Sequence, residues 1–400
     1  MRDKFIRHVF TLASAGMIVL FMLTNCKRYE SGTPQFVLDT IEQVRERYCP
    51  DPRLAVFNIT PEVRGANLKL TGEVSTTTAK QALIKAMRSV ARDYKIEEEI
   101  VVLPDAELGK KRYGIVNVSV ANLRGAPKHS AELVNQMLLG SSVALLKKRE
   151  DWFYGQVDDG YIGWLSAGSV VRIDSSAVAE FQTSDLVRFI GWIGKIRSKP
   201  DDNAPPISEI TLGGVLHRRE EQKESAEKTG WTMVSLPDGR EGFLPTHFLS
   251  SSAPSPTVAG AGARLIATAE KFLGVPYLWG GASVHGFDCS GFTQIVFAQN
   301  GIPLLRDASQ QAREGVAVEI DDDFKNLQAN DLLFFGASKE KITHVAISLS
   351  GPKFIHASDY VRINSLDPDD ADYAESRART LQFARRYLKE PTPMLGRGKF

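Results

Sequence analysis

The sequence predicts a multidomain α+β protein: a small αββαβ domain, two small β-barrels in tandem, and a C-terminal α/β domain. Three observations lead to that expectation. Segments patterned as helices and strands follow one another in the order αββαβ between residues 36 and 104. Two stretches, "DWFYGQVDDGYIGWL" from Asp151 and "GWTMVSLPDGREGFL" from Gly230, repeat each other. A Ser-, Pro- and Gly-rich stretch, 249–263, then precedes a segment long enough for one further domain. The 400 residues carry 49 Lys+Arg against 48 Asp+Glu, with 43% hydrophobic residues. The chain is therefore globular and lacks the net field that nucleic-acid binding calls for.

The N-terminus is read apart from the fold. Arg2, Lys4 and Arg7 precede "VFTLASAGMIVLFML", an apolar run short for a spanning helix, so residues 1–25 read as an export signal, with a membrane anchor as the alternative. Leu23-Thr24-Asn25-Cys26 resembles a bacterial lipobox, Asn25 standing where Gly, Ala or Ser is usual. The resemblance implies acylation of Cys26, a tether that does not span. Cys49 and Cys289 are then the only other cysteines, in an oxidising compartment. A Cys49–Cys289 bridge stays open, but one bridge between distant segments is no disulfide framework.

Residues 34–106 form the first unit. "FVLDTIEQVRERY" has apolar positions at helical spacing, and Val56, Ile59, Leu68, Leu70 and Val74 mark two strands. "TTTAKQALIKAMRSVARDY" sets Ala79, Leu83, Met87 and Val90 on one helix face behind hydroxyl caps, and "EEEIVVL" closes the unit as a strand. The pattern resembles the BON-type fold. Cys49, at the end of the first helix, reads as a small buried side chain.

The repeats occupy 112–174 and 180–250. At a constant offset Trp152 matches Trp231, Asp159-Gly160 matches Asp238-Gly239, Gly163 matches Gly242, and Trp164-Leu165 matches Phe243-Leu244. Each Asp-Gly pair between alternating strands signals a hairpin. The two units resemble bacterial SH3 domains, with Trp152 and Trp231 expected in their cores. Tyr161 in one copy is Arg240 in the other, and core positions tend to keep their type, so Tyr161 is expected to face outward.

After a linker at 251–261, residues 262–388 read as one α/β domain. "RLIATAEKFLG" is a helix stopped by Gly274, and "CSGFTQIVFAQNG" a second, stopped at Asn300-Gly301. "DLLFF", "HVAISLS", "KFIHAS" and "TLQFARRYL" are β runs that suggest a meander.

Cys289 opens that second helix, where free amides and the helix dipole favour an anion and lower a thiol's pKa. Ser290 and Gly291 are small and would let a substrate approach. His344 and His356 fall in β runs, and period two puts His344 on the face opposite Val345 and Ile347. Neighbouring antiparallel strands would bring the two imidazoles together. A nucleophile needs a base, and the base a third polar group, so Cys289, His344 and His356 can fill those roles in that order. The residues alone leave other readings open: a buried structural thiol, satisfied core histidines, a zinc site without a compact ligand pair, or His285 as the base.

"PYLWGGASVHGFDCSGFTQ", "RDASQQ", "NDLLFF", "THVAIS" and "FIHAS" together resemble the NlpC/P60 family of papain-like cell-wall peptidases over roughly 262–385. That resemblance implies Cys289 as nucleophile, His344 as base, His356 as the third polar residue, Tyr277 beside the nucleophile at the oxyanion site, and Trp279 as a substrate contact, Tyr277 and Trp279 also packing against the catalytic helix. Two SH3-like domains upstream resemble the dipeptidyl-peptidase VI type, which cleaves γ-D-glutamyl–diamino acid bonds of murein peptides with a free N-terminal L-Ala. The implied amine contacts are Asp307, Glu132 and Tyr161, with Asp288 and Ser290 flanking the nucleophile and Ala308 where Ser is frequent. No metal or cofactor is implied. The expected setting is a monomer tethered through Cys26 in a bacterial cell envelope, acting on murein peptides and not on nucleic acid. Two other classes compete: a non-catalytic wall-binding lipoprotein, and an amidase or acyltransferase of the same superfamily.

Overall fold

The computed structural model describes residues 32–183, 185–219, 229–251 and 261–388. The signal segment with Cys26, and most of the linker, lie outside the described residues. Among the described residues no helix is long and apolar enough to cross a membrane.

The first unit packs helices Gln35–Tyr48 and Thr77–Val90 on a three-stranded sheet. Strands Phe57–Arg64 and Asn67–Val74 are antiparallel, and Lys95–Val102 joins parallel to the middle one. A parallel neighbour requires a crossover, which the second helix supplies. Thr76 starts that helix by accepting the Ala79 amide at 3.1 Å. Ala79, Leu83 and Met87 are buried as their spacing requires. Val90 is not: it is the last helical residue, and the chain turns there so that Ala91 enters the core in its place. Cys49 is buried with its thiol 3.1 Å from the Ala55 carbonyl, and neither it nor Cys289 is bonded to another sulfur. The Cys49–Cys289 bridge is thereby removed.

The repeats fold as two seven-stranded barrels. With strands numbered along each unit, both sheets run 7-1-4-5-6-2-3. The Asp-Gly turns close hairpins Trp152–Val157 with Ile162–Ser166, and Trp231–Ser235 with Glu241–Pro245. Tyr161 corrects the outward expectation: it is 7% exposed and packs in the first barrel's apolar cluster. The other domains cover this turn, as the Arg53 carbonyl accepts the Ile162 amide at 2.8 Å and Asp307 meets the Tyr161 hydroxyl. Arg240, its counterpart, stays exposed and ion-paired with Asp238.

The C-terminal domain lays helix Cys289–Ala298 on a six-stranded sheet. Strands Leu332–Ser338, Lys341–Ser350, Lys353–Ser358 and Tyr360–Ser365 form a meander. Strand Leu381–Arg386 does not extend it. A short helix, Glu375–Thr380, carries the chain back across, and the last strand inserts between Val316–Val318 and Leu332–Ser338. Phe272, Phe287, Phe292 and Phe297 seal the helix side of the sheet.

Candidate active site

The site begins with how helix Cys289–Ala298 starts. Asp288 is its N-cap, accepting the Gly291 amide on Oδ1 at 2.7 Å, and its Oδ2 accepts the Gly280 amide at 3.0 Å. Arg306, 1% exposed, grips the same carboxylate with two nitrogens, at 3.0 and 2.6 Å. It also donates to Ser290 Oγ at 3.1 Å and to Asn135 Oδ1 of the first barrel at 2.8 Å. Asp288 and Ser290 were expected at the substrate. Both are buried, and their polar atoms are committed to one another and to Arg306, so what they do is hold the loop and helix that present the thiol. Gly291 is likewise a packing residue, because a Cβ there would lie 2.1 Å from the Gly281 carbonyl.

The Ser290 and Val345 amides point at the Cys289 sulfur, which sets it against the strand that carries His344. His344 Nε2 lies 2.8 Å from His356 Nδ1, and His356 Nε2 lies 3.0 Å from Asn364 Oδ1. Asn364 is oriented by its amide nitrogen, which donates to the Asp372 carbonyl at 2.9 Å. The tautomers follow. Asn364 offers an oxygen, so His356 carries its proton on Nε2 and accepts on Nδ1. His344 then carries its proton on Nε2, which leaves Nδ1 as the basic nitrogen.

Burial dominates the electrostatics. It pushes the Cys289 thiol up to about 12, and the Asp288 charge adds to the effect, overriding the lowering expected at a helix start. It pushes His344 well below the ordinary histidine value, helped by Arg377 and then His356, and His356 down to about 4. Both shifts favour the neutral forms of the Cys289 thiol and the His344 imidazole at rest. Burial above all keeps the Tyr277 hydroxyl protonated, a donor at neutral pH.

A second group of side chains lies where the first barrel meets this domain. Asp307 Oδ2 accepts the Tyr161 hydroxyl at 3.3 Å and Arg53 Nη1 at 2.7 Å. Glu132 accepts the Trp279 indole at 2.8 Å, although Trp279 stays 63% exposed. Gln136 Oε1 takes the Ala282 amide and the Ser283 hydroxyl at 3.0 and 2.9 Å. Gly280 lets the first barrel in, since a Cβ there would sit 2.2 Å from the Leu133 carbonyl. His285 faces Glu209 of the second barrel at 3.1 Å, which takes it out of contention as the base.

The sequence profile of the NlpC/P60 family matches residues 274–381, and that of the bacterial dipeptidyl-peptidase SH3 domain matches 123–170. A Lysinibacillus sphaericus protein named dipeptidyl-peptidase 6 is 30% identical over 275 residues, spanning 67% of this chain and 96% of its own. The chain belongs to the NlpC/P60 family. It is a cysteine peptidase. A Bacillus cereus protein named gamma-D-glutamyl-L-lysine dipeptidyl-peptidase is 32% identical over 271 residues, spanning 64% of this chain and 76% of its own. Among solved structures, an NlpC/P60 family protein from Bacillus cereus ATCC 10987 matches with TM-score 0.57 and 27% identity, over 69% of this chain and 100% of that one. An NlpC/P60 endopeptidase from Photobacterium damselae subsp. piscicida, at TM-score 0.51 and 16% identity, shares the fold.

Sequence reasoning missed four residues around this NlpC/P60 site. Asn364 ends the histidine relay, Arg306 pins Asp288, Arg377 lowers the pKa of both His344 and His356, and Arg53 holds Asp307. The "RDASQQ" stretch already contained Arg306, but a cation's default place is the surface.

Proposed function

We propose that this peptidase hydrolyses the γ-D-glutamyl–diamino acid bond of murein peptides that begin with a free L-Ala, Cys289 acting as nucleophile. The observation that carries it is the relay His344, His356, Asn364 beside the strand residue Val345 whose amide faces Cys289, at a helix start that the first barrel abuts. The name of the Bacillus cereus relative supports the choice of bond.

His344 Nδ1 takes the thiol proton as Sγ attacks the γ-carbonyl carbon, and the carbonyl π electrons move onto oxygen. Tyr277 donates to that oxyanion. His344 then protonates the leaving α-amine of the diamino acid, the C–N bond breaks, and a thioester remains. Water, deprotonated by His344, attacks the thioester and Sγ leaves as the thiol. The relay through His356 to Asn364 keeps His344 in the tautomer that both steps need. Because the resting pair is neutral, the proton moves as substrate engages the thiol.

Asp307, Tyr161 and Glu132 would receive the L-Ala ammonium at the end of the cleft. Acylation of Cys26 would tether the peptidase, as a monomer, to an envelope membrane. Replacing Cys26 by Ala would then leave the protein in the soluble fraction. The test of substrate is product analysis by mass spectrometry. L-Ala-γ-D-Glu-L-Lys should yield the dipeptide L-Ala-γ-D-Glu and free lysine, and its N-acetylated form should react at least about tenfold more slowly. Cleavage at the L-Ala bond, or binding without cleavage, would contradict it.

A further inference from the structure

We propose that Arg53, from the N-terminal αββαβ domain, is a positioning residue of the amine subsite, fixing the Asp307 carboxylate that receives the substrate ammonium; this rests on the function proposed above. Neither family profile touches that domain, yet its loop after Cys49 enters the site. Arg53 forks onto Asp51 through Nε and Nη2 at 2.8 and 2.7 Å, and its own amide donates to Asp51 Oδ1 at 3.0 Å. The remaining nitrogen, Nη1, reaches Asp307 Oδ2 at 2.7 Å and Ser309 Oγ at 3.0 Å.

The loop is locked from both sides. The Arg53 carbonyl accepts the Ile162 amide at 2.8 Å, the Leu54 carbonyl accepts Gln156 at 2.8 Å, and Asp51 accepts Gln310 Nε2 at 3.1 Å. Burial alone would raise the Asp51 carboxyl, but Arg53 outweighs it and holds Asp51 down to about 2. Asp51 and Arg53 therefore offset each other's charge, and Asp307 is the carboxyl group of the trio that this pairing leaves unmatched. One carboxylate's worth of charge is left for an ammonium. Asp307 remains 27% exposed in its side chain, open to a ligand yet oriented by Arg53 and the Tyr161 hydroxyl. An ion-recognising carboxylate gains most when its orientation is set before the ligand arrives. The subsite is thus assembled from three domains: Asp307 from the peptidase, Tyr161 from the first barrel, and Arg53 from the αββαβ unit.

The test compares the full-length protein with Arg53→Gln and Arg53→Lys on L-Ala-γ-D-Glu-L-Lys and its N-acetylated form. Arg53→Gln should raise KM for the free-amine peptide about tenfold or more, with kcat and the N-acetylated reaction little changed. Arg53→Lys keeps the charge but loses the fork, and should fall between. Thermal melting identifies a variant that fails to fold, in which case Arg53→Lys alone decides. Equal losses on both peptides would make Arg53 only an interdomain brace and overturn the proposal. A stronger preference for the free amine would overturn it too, because Arg53 would then oppose the ammonium. Hydrolysis that survives Cys289→Ala would sink the proposed function itself, whereas an unchanged amine preference in active Arg53→Gln protein sinks only the role of Arg53.

Discussion

Tyr161 and Arg240 stand at the same place after the same Asp-Gly turn, in two barrels with one strand order, and their surroundings are opposite. Tyr161 is roofed by the peptidase and the αββαβ loop and its hydroxyl reaches Asp307, while Arg240 stays exposed, paired with Asp238 and donating to the Ile207 carbonyl. The same contrast runs through the two interfaces. The first barrel presents Glu132, Asn135 and Gln136 to the residues around the thiol, whereas the second meets the peptidase elsewhere, through Trp192 against Phe272, Leu212 against the domain's core and the rim pair Glu209 with His285. A repeated scaffold thus specifies a hairpin but not its role, which depends on what covers it. The first barrel belongs to the site, and the second braces it.

The largest expected effect is at Arg306, the cation that ties the first barrel to the nucleophile's N-cap. Arg306→Ala leaves Asp288 buried and unpaired and should cost about 3–5 kcal/mol in a denaturant titration. A loss below about 1 kcal/mol would mean that this junction is not the anchor it is taken to be. Acid should come next. His356 titrates at about 4 when folded against an ordinary 6.5, so the unfolded chain binds more protons below 6.5. Stability is therefore fully present above that pH and is lost as pH falls towards 4, by up to about 3 kcal/mol for this group. His344 shifts the same way, so the acid limb of kcat/KM should lie below pH 6.5. An acid limb at or above 6.5 would contradict a buried neutral base.

Smaller effects bear on the barrels directly. Tyr161→Phe removes one hydroxyl from Asp307 and should raise KM for a free-amine peptide about two- to tenfold. Arg240→Ala should leave the kinetics unchanged, and equal effects at the two positions would erase the distinction. His285→Ala, at the exposed rim pair, should cost less than about 1 kcal/mol in the same titration used for Arg306.

The placement of Cys289 at a helix start and of His344 and His356 in strands was legible because each sits in a local pattern. The αββαβ order and the repeat were legible for the same reason, since the periodicity of a segment is written in its own residues. What lay beyond was set by packing between distant segments. Asn364 matters only once strand Tyr360–Ser365 pairs with Lys353–Ser358, and Arg377 only once the chain has crossed back over the sheet. Arg53 and Asp307 are 254 residues apart. The thiol's pKa went the other way from the helix-start argument because burial outweighs the helix dipole there, and burial is not local. Asp288 and Ser290 read as substrate contacts from their position in the chain, whereas the buried Arg306 occupies their polar atoms.

The most direct test of the central claim is hydrolysis of L-Ala-γ-D-Glu-L-Lys by Cys289→Ala, followed by mass spectrometry of the products, with melting to confirm the fold. The expected result is a folded protein with no detectable dipeptide. Dipeptide released at a rate near that of the unsubstituted protein would contradict Cys289 as the nucleophile.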